Sequence, residues 1–414
     1  MEIGVITFII SVFTLSGYNF TFWLIIGFIR LCNEKLYRLT RRKTYKNSDA
    51  NTISVRDIAA VIPAHNEELT IGRTITALLK VLPKRNIYVA SDYSTDKTIK
   101  IARSFGVRLL DINPNLGKAK SIVMIMKQYN LLDAYKLIFI NDADTEISQD
   151  YLTYALPFFN DRGIGAVATH GITRWQHYSF WQKYFIAYRI RLWRIIQFGM
   201  RFGQTWKYTN VSFIVPGSLS LYRTSVLKQI EIDAQGLIIE DFNMTFEMRK
   251  KKLGSIGYSP KLVGIHQDPY RLHDYIKQVQ RWNVGFFQTV KRHGIWPSIF
   301  WLATTAYYVE LYLYALFIGL LPLILLLYIL NGFSPLTIPL AASNLRFGDL
   351  LIGVFFMDYV ITIIAAIFEK KPFLLFYGLG FIFLRYIDSL IYLGSPIRAF
   401  TLKSKGTWVS PKRL

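Results

Sequence analysis

Residues 137–148 read LIFINDADTEIS. The run Leu137-Ile138-Phe139-Ile140 has the length and β-former content of a buried strand in a parallel sheet. Two carboxylates, Asp142 and Asp144, follow one residue apart. At that spacing side chains in extended backbone point the same way, so both face one spot beyond the strand's carboxyl end. Open α/β sheets bind ligands there. Two like charges so close repel unless a cation or a proton lies between them. A hard divalent ion such as Mg²⁺ takes one or two carboxylates together with substrate phosphates. A lone D-x-D also arises as a simple turn, so the reading depends on what surrounds it.

Working outward, IAAVIP, IYVAS and VRLLDI are three more strand-like runs. They alternate with the helical stretches LTIGRTITALLK, TDKTIKIARSF and AKSIVMIMKQYN. This alternation predicts an α/β fold with a doubly wound, mostly parallel sheet between Arg56 and about His266. After the first strand come Pro63, His65, Asn66 and Glu67, at a strand-to-helix turn whose free amides favour an anion. Asn66 as a cap, with Glu67 and Glu68 in the first turn, explains the same residues structurally. The next strand ends at Asp92; Asp96 reads as a helix cap, leaving Asp92 as the better ligand candidate. Lys118, in NPNLGKAKS, stands where a lysine can reach a phosphate or a base carbonyl. Four strand ends carrying polar or acidic groups predict one shared cleft.

The chain has 414 residues, 52% of them hydrophobic, with a net charge of +22. Both figures fit a protein at an anionic membrane that handles phosphorylated substrates. The single cysteine, Cys32, can form no internal disulfide. Residues 3–29 carry no charge and are long enough to span a bilayer; six basic residues between 30 and 43 follow, predicting a retained anchor with the next domain cytoplasmic. Residues 174–207 hold aromatic and aliphatic side chains near helical spacing, interleaved with Arg189, Arg191, Arg194 and Arg201. Two readings stand: an interfacial amphipathic helix, or an aromatic core helix with a solvated basic face. Apolar runs near 303–330, 347–368 and 373–393 predict membrane helices. Glu310, Asp358, Arg385 and Asp388 lie within them, and such charges usually face a bundle or channel interior. The alternative puts Glu310 at the membrane edge and pairs Arg385 with Asp388 at i, i+3, the reading preferred for that pair over a transport role. Three full spans conflict with a basic C-terminus on the cytoplasmic side, so one run reads as interfacial or re-entrant unless the charge rule fails here. The basic residues concentrate beside these runs, which favours membrane phospholipid over nucleic acid as the anion.

The ordered series PAHNE, SDYSTD, LGKAKS, NDADT, PGSLSLYR, IIEDFNMTFEMRKKKLG and QVQRW resembles the membrane-bound inverting glycosyltransferases of family 2. Hyaluronan, poly-β-1,6-N-acetylglucosamine, chitin-oligosaccharide and cellulose synthases share the pattern. The resemblance covers residues 56–290, and the tail FTLKSKGTWVSPKR is similar to the hyaluronan-synthase C-terminus. It implies a GT-A catalytic domain in which Pro63, His65, Glu67 and Asp92 bind the nucleoside, supported by Lys118. It also implies Asp142 and Asp144 at the sugar diphosphate with Mg²⁺ or Mn²⁺, and Gly217 and Ser218 flanking the acceptor and donor sugar. Asp241 matches the general base; Gln278, Arg281 and Trp282 match the Q-x-x-R-W signature near pyrophosphate and acceptor. Glu240 stays open as the alternative base. The chain departs from the pattern at Ser91-Asp92, where paired aspartates are usual, and at Val279 and Asn283.

These readings predict a multi-pass integral-membrane enzyme with a cytoplasmic catalytic domain. The expected divisions are an anchor at 1–30, a basic linker at 31–54, the GT-A domain at 55–268, interfacial helices at 269–300, a membrane region at 301–395 and a basic tail at 396–414. The expected reaction moves a hexose, GlcNAc or Glc, from a UDP-sugar to a growing polysaccharide. Single addition to a membrane lipid or a lipid-linked saccharide is the alternative, and a nucleotide-regulated transporter is a rival of another class. Whether a protein partner completes a channel is left open.

Overall fold

The computed structural model of the chain describes residues 17–40, 53–176, 179–332, 337–340 and 343–401. Most of the N-terminal apolar run, residues 41–52 of the linker and most of the basic tail lie outside these residues. Helix α1 (Tyr18–Thr40) continues unbroken through the first ten positions expected as linker.

The strand–helix alternation folds as read. Strands β1 (Ile58–Ala64), β2 (Ile87–Asp92), β3 (Arg108–Ile112) and β4 (Leu137–Ile140) lie parallel in the order β3-β2-β1-β4. Helices α2 (Ile71–Leu79), α3 (Thr98–Ser104) and α4 (Lys118–Gln128) connect them. Ile58, Ala60 and Ile62 of β1 pack toward α2, through Ile71, Ile75 and Leu78. Ala59 and Val61 pack on the opposite side against Ile122 and Ile125 of α4. With both faces covered, the strand must be apolar at consecutive positions instead of alternating. Truncating Ile62, which is fully buried, costs about 2–5 kcal/mol.

Beyond β4 the sheet changes character. Strand β7 (Ser220–Arg223) runs antiparallel to β4 and to β6 (Ile164–Thr173). Strand β8 (Ser255–His266) runs parallel to β6, and β5 (Thr145–Ile147) closes the edge antiparallel to β8. Four of the seven pairings are parallel, so the sheet is mixed, with its parallel half under the site. Strand direction depends on long-range pairing and leaves no mark in the local pattern.

Helix α5 (Phe180–Arg194) begins at a capping box between Ser179 and Gln182. Its arginines neither face solvent nor line an outer surface. Arg189 and Arg191 are buried, and each meets an acid: Arg189 meets Asp268, Arg191 meets Asp358, and Arg194 meets Glu369. The start of the helix does stay outside, with Phe180 and Trp181 exposed. A π-helical stretch, Ile195–Arg201, follows; such stretches mark functional sites often. Here α1 packs closely, because a Cβ on Gly199 would overlap the Phe20 ring and one on Gly203 would meet the Trp23 carbonyl. Arg30 of α1 donates to the carbonyls of Phe202 (2.7 Å) and Tyr258 (3.0 Å), fastening α1 to the α/β domain.

Helix α6 (Glu240–Lys250) and α7 (Leu272–His293) lead to the apolar region. Helices α8 (Ile299–Gly319) and α9 (Leu321–Leu330) form one 32-residue stretch that contains an 18-residue segment of mean hydropathy 2.6, with Pro322 in the first turn of α9. Helix α10 (Phe347–Glu369) includes a 19-residue stretch, Leu351–Glu369, that contains an 18-residue segment of mean hydropathy 2.4. At 1.5 Å per residue, that stretch covers about 28 Å, close to a bilayer's hydrocarbon thickness. Among the described residues these two are long and apolar enough to cross a membrane. The third run is broken into α11 (Phe373–Gly378) and α12 (Phe381–Thr401). Its charges do not pair at i, i+3 as expected. Arg385 bonds Asp358 of α10 at 3.1 Å, and Asp388 accepts from the hydroxyls of Tyr188 (2.6 Å) and Tyr275 (2.5 Å). Glu310, midway along α8, accepts the Asn19 amide at 2.7 Å in the first turn of α1 and lines a cavity between the helices.

Candidate active site

The carboxyl ends of β1, β2 and β4 and the start of α6 all contribute. Pro63 and Glu67 are buried, and Glu67 accepts from the Thr70 hydroxyl at 2.7 Å. The His65 ring lies 2.6 Å from the Asp92 carbonyl. Asp92 is fully buried, and its carboxylate accepts the amides of Leu116 (2.8 Å) and Gly117 (2.7 Å). In this structure Asp92 therefore orients the loop that ends in Lys118. Asp96 accepts the amide of Thr98, the first residue of α3, as the capping reading expected.

Lys118 opens α4 and reaches across to two acids. Its Nζ lies 2.7 Å from Asp142 Oδ1 and 2.9 Å from Glu240 Oε1. Burial pulls the Lys118 pKa down, but the two carboxylates more than offset it and hold the amine firmly protonated. Burial works to raise Glu240 as well, yet the Lys118 charge takes it below the ordinary range. Asp142 is raised, by burial and by the neighbouring Asp144 charge. Gly217 fits this spot because it lacks a side chain: a Cβ there would sit 3.0 Å from both Glu240 Oε1 and Lys118 Nζ.

Asp241 lies one residue into α6, half-buried. It accepts the amides of Phe242 (2.7 Å) and Gly217 (3.2 Å). Burial and the adjacent Glu240 charge push its pKa up to about 7. Of the two acids at this helix start, Glu240 is tied to Lys118 and Asp241 is poised near neutrality.

One cavity of about 270 Å³ collects these groups. Lys118, Asp142, Asp144, Gly217, Ser218, Glu240, Asp241, Gln278, Arg281 and Trp282 all line it. Pro63, His65, Glu67 and Asp92 do not; they stand behind the Lys118 loop at the ends of β1 and β2. The far wall holds residues that motif reading passed over. Asp268 accepts from Arg189 Nε and Trp193 Nε1, each at 2.9 Å. Arg189 in turn donates to Gln278 Oε1 at 2.9 Å, and its guanidinium lies 4.6 Å from the Trp282 ring centre. The one local signal for this wall was Asp268, an acid just after an apolar strand, in the sequence HQDPY.

Among the described residues no cluster of three or more metal-ligating side chains exists. Asp142 and Asp144, side by side on the cavity, fit a divalent ion that arrives with a diphosphate and completes its shell from phosphate and water. They do not form a self-sufficient cage.

The fold and this cavity belong to an enzyme class, and comparison with known proteins identifies it. Residues 56–285, more than half the chain, match the family model described as "Glycosyltransferase like family 2", and the chain belongs to that family. Its mixed sheet is GT-A-like. It is 27% identical over 240 residues to the probable glycosyltransferase YdaM of Bacillus subtilis, covering 55% of this chain and 54% of that protein. It is 26% identical over 250 residues to the hyaluronan synthase of Streptococcus pyogenes, covering 56% and 57% respectively. The chain thus spans about half the length of the curated relatives it matches. The mannosyltransferase PcManGT from Pyrobaculum calidifontis, solved with GDP-Man and Mn²⁺, superposes with a TM-score of 0.50 at 15% identity. That alignment covers 87% of this chain and 99% of the mannosyltransferase, a likeness of fold.

Proposed function

We propose that this protein is an integral-membrane, inverting glycosyltransferase that moves a hexose, GlcNAc or Glc, from a UDP-sugar to a saccharide acceptor. The observation that carries this reading is the joint lining of one cavity by Asp142, Asp144, Asp241, Arg281 and Trp282. Inversion in a single in-line displacement needs a carboxylate base apart from the diphosphate-binding group. Asp241 suits that role: its pKa near 7 lets it take a hydroxyl proton at neutral pH. Lys118 and Arg281 offset the growing diphosphate charge. A divalent ion held by Asp142 and Asp144 would supply further charge neutralisation there. His65 and the loop fixed by Asp92 support the nucleoside side, and Trp282 offers a ring face to a sugar.

The acceptor reading draws on the apolar helices. Tyr307 and Tyr308 of α8 and Tyr392 of α12 line the reaction cavity. A second cavity of about 120 Å³ shares Tyr307, Leu311 and Tyr392 with it and extends to Glu310, Asp358 and Arg385. An acceptor reaching the site from the membrane side, as a growing polysaccharide, fits this continuity. Two crossings, by α8–α9 and α10, would return the chain to the catalytic side and put the basic C-terminus there, removing the parity conflict of three full spans. The test is incubation of detergent-solubilised protein with a panel of UDP-sugars, reading UDP release, product mass and anomeric configuration. No UDP release from any donor, or an α-linked product from an α-linked donor, overturns the proposal.

A further inference from the structure

Most buried polar side chains of the catalytic domain have protein partners, as they must, because an unpaired buried polar group costs about 1–3 kcal/mol. Gln267 does not. It is 5% exposed, lines the reaction cavity, and neither its Oε1 nor its Nε2 meets a protein partner. Its flanking residues are well tied: Asp268 to Arg189 and Trp193, and His266 to Asp268 at 3.2 Å. Gln197, from the π-helical stretch, lines the same cavity and is 1% exposed. Its Nε2 donates to the Gly171 carbonyl at 3.0 Å while its Oε1 meets no protein partner. Gly171 packs against Gln197 and against His266, the residue before Gln267, because a Cβ on it would lie 2.7 Å from the His266 ring and 3.3 Å from Gln197 Nε2. Trp193 packs edge-on against both His266 and Trp282, at 5.4 and 5.7 Å between ring centres.

We propose that Gln267 and Gln197 form the hydroxyl-reading wall of a subsite for a neutral pyranose of the acceptor. The inference rests on the transferase reading and adds the acceptor's chemistry to it. A carboxamide gives one acceptor and a two-proton donor group on adjacent atoms, matching neighbouring sugar hydroxyls that each donate and accept. Trp193 and Trp282 supply the flat apolar surface that a pyranose's C–H face covers. Asp268 contributes no free charge to this wall, because Arg189, Trp193 and Thr173 occupy its carboxylate. A wall of uncharged amides and aromatic rings suits a neutral sugar and brings no charge of its own to a phosphate headgroup.

The test measures binding separately from turnover. Full-length protein in detergent is titrated calorimetrically with tetrasaccharides of β-linked glucose and of β-linked N-acetylglucosamine, and separately with UDP. Gln267→Leu keeps the side chain's bulk and removes both orphaned atoms. At least one tetrasaccharide should bind the unaltered protein, and the variant should bind it about tenfold or more weakly. UDP affinity should be unchanged and the unfolding temperature equal or higher, since the variant relieves a buried unpaired amide. Gln267→Glu, isosteric but without the donor, should weaken saccharide binding too, and serves if the leucine variant fails to fold. Equal saccharide affinity in both variants, or no binding of either tetrasaccharide by the unaltered protein, overturns the proposal. So does a loss of binding that tracks a lowered unfolding temperature. Failure of every UDP-sugar to turn over would sink the transferase reading while leaving this binding readout standing.

Discussion

Lys118 Nζ lies 2.7 Å from Asp142 Oδ1, so the first carboxylate of the D-x-D pair already holds a cation supplied by the chain itself. A divalent ion drawn to Asp142 competes with that amine, and the diphosphate of a donor offers the lysine another partner. Lys118→Met should therefore bind Mn²⁺ several-fold more tightly without nucleotide, while its UDP affinity falls. Calorimetric titration of each ligand checks both directions. In the unaltered protein EDTA should stop turnover, and Mn²⁺ or Mg²⁺ should restore it. Unchanged Mn²⁺ affinity in the variant would show that the amine does not screen the site.

Asp241, raised to about 7, should set the acid limb of the pH–rate profile. A base works when deprotonated, so kcat/KM should rise with pH and level off above about 7. The same shift has a sign for stability. The folded state binds this proton more tightly than the unfolded chain, so the group's contribution falls as pH rises from the ordinary aspartate range through about 7. Asp241→Asn should lower transfer by about 10²–10⁴-fold and leave UDP binding near normal. Loss of UDP binding in a folded variant would assign Asp241 to the donor instead.

Gly217 tests the geometry between these acids. A methyl there would sit 3.0 Å from both partners of the Lys118–Glu240 pair, so each charged end must give by a few tenths of an ångström. Gly217→Ala should cost about 1–3 kcal/mol in urea unfolding and depress kcat more than that loss explains. Normal turnover would mean the pair tolerates displacement.

The parallel half of the fold was legible because its signals are local. Strands β1 to β4 fall within one residue or so of the apolar runs that announced them, and the polar residues closing each run stand at one sheet edge. Asp96 as a cap could be read from its place before α3. Pairing across long separations could not. Arg385 and Asp388 are three residues apart, yet each chose a distant partner: Asp358 for the arginine, and Tyr188 and Tyr275 for the acid. The arginines of α5 look like a solvated stripe because their acids lie 79 to 175 positions later in the chain. Gln197 and Gln267 carry no motif. What sets them apart is a buried polar atom at the cavity without a protein partner, both amide atoms in Gln267 and the Oε1 in Gln197, which only packing reveals.

Arg189 and Asp268 bring the last prediction. Both are essentially buried, with Arg189 Nη2 2.8 Å from Asp268 Oδ1. Removing one partner of such a pair strands a buried charge, so Arg189→Met should destabilise the fold by about 3–5 kcal/mol. Replacing both, as Arg189→Met with Asp268→Leu, should recover much of that stability, since apolar groups need no compensating charge. Catalysis should not recover with it. Arg189 also donates to Gln278 and lies over the Trp282 ring, and methionine offers neither a hydrogen bond nor a cation. Trp193 and Thr173 lose their acceptor in it, so the double variant should unfold between the single variant and the unaltered protein, yet keep a raised KM for the acceptor. If it regains both stability and acceptor KM, the guanidinium serves only to neutralise Asp268, and the Q-x-x-R-W residues hold their places without it.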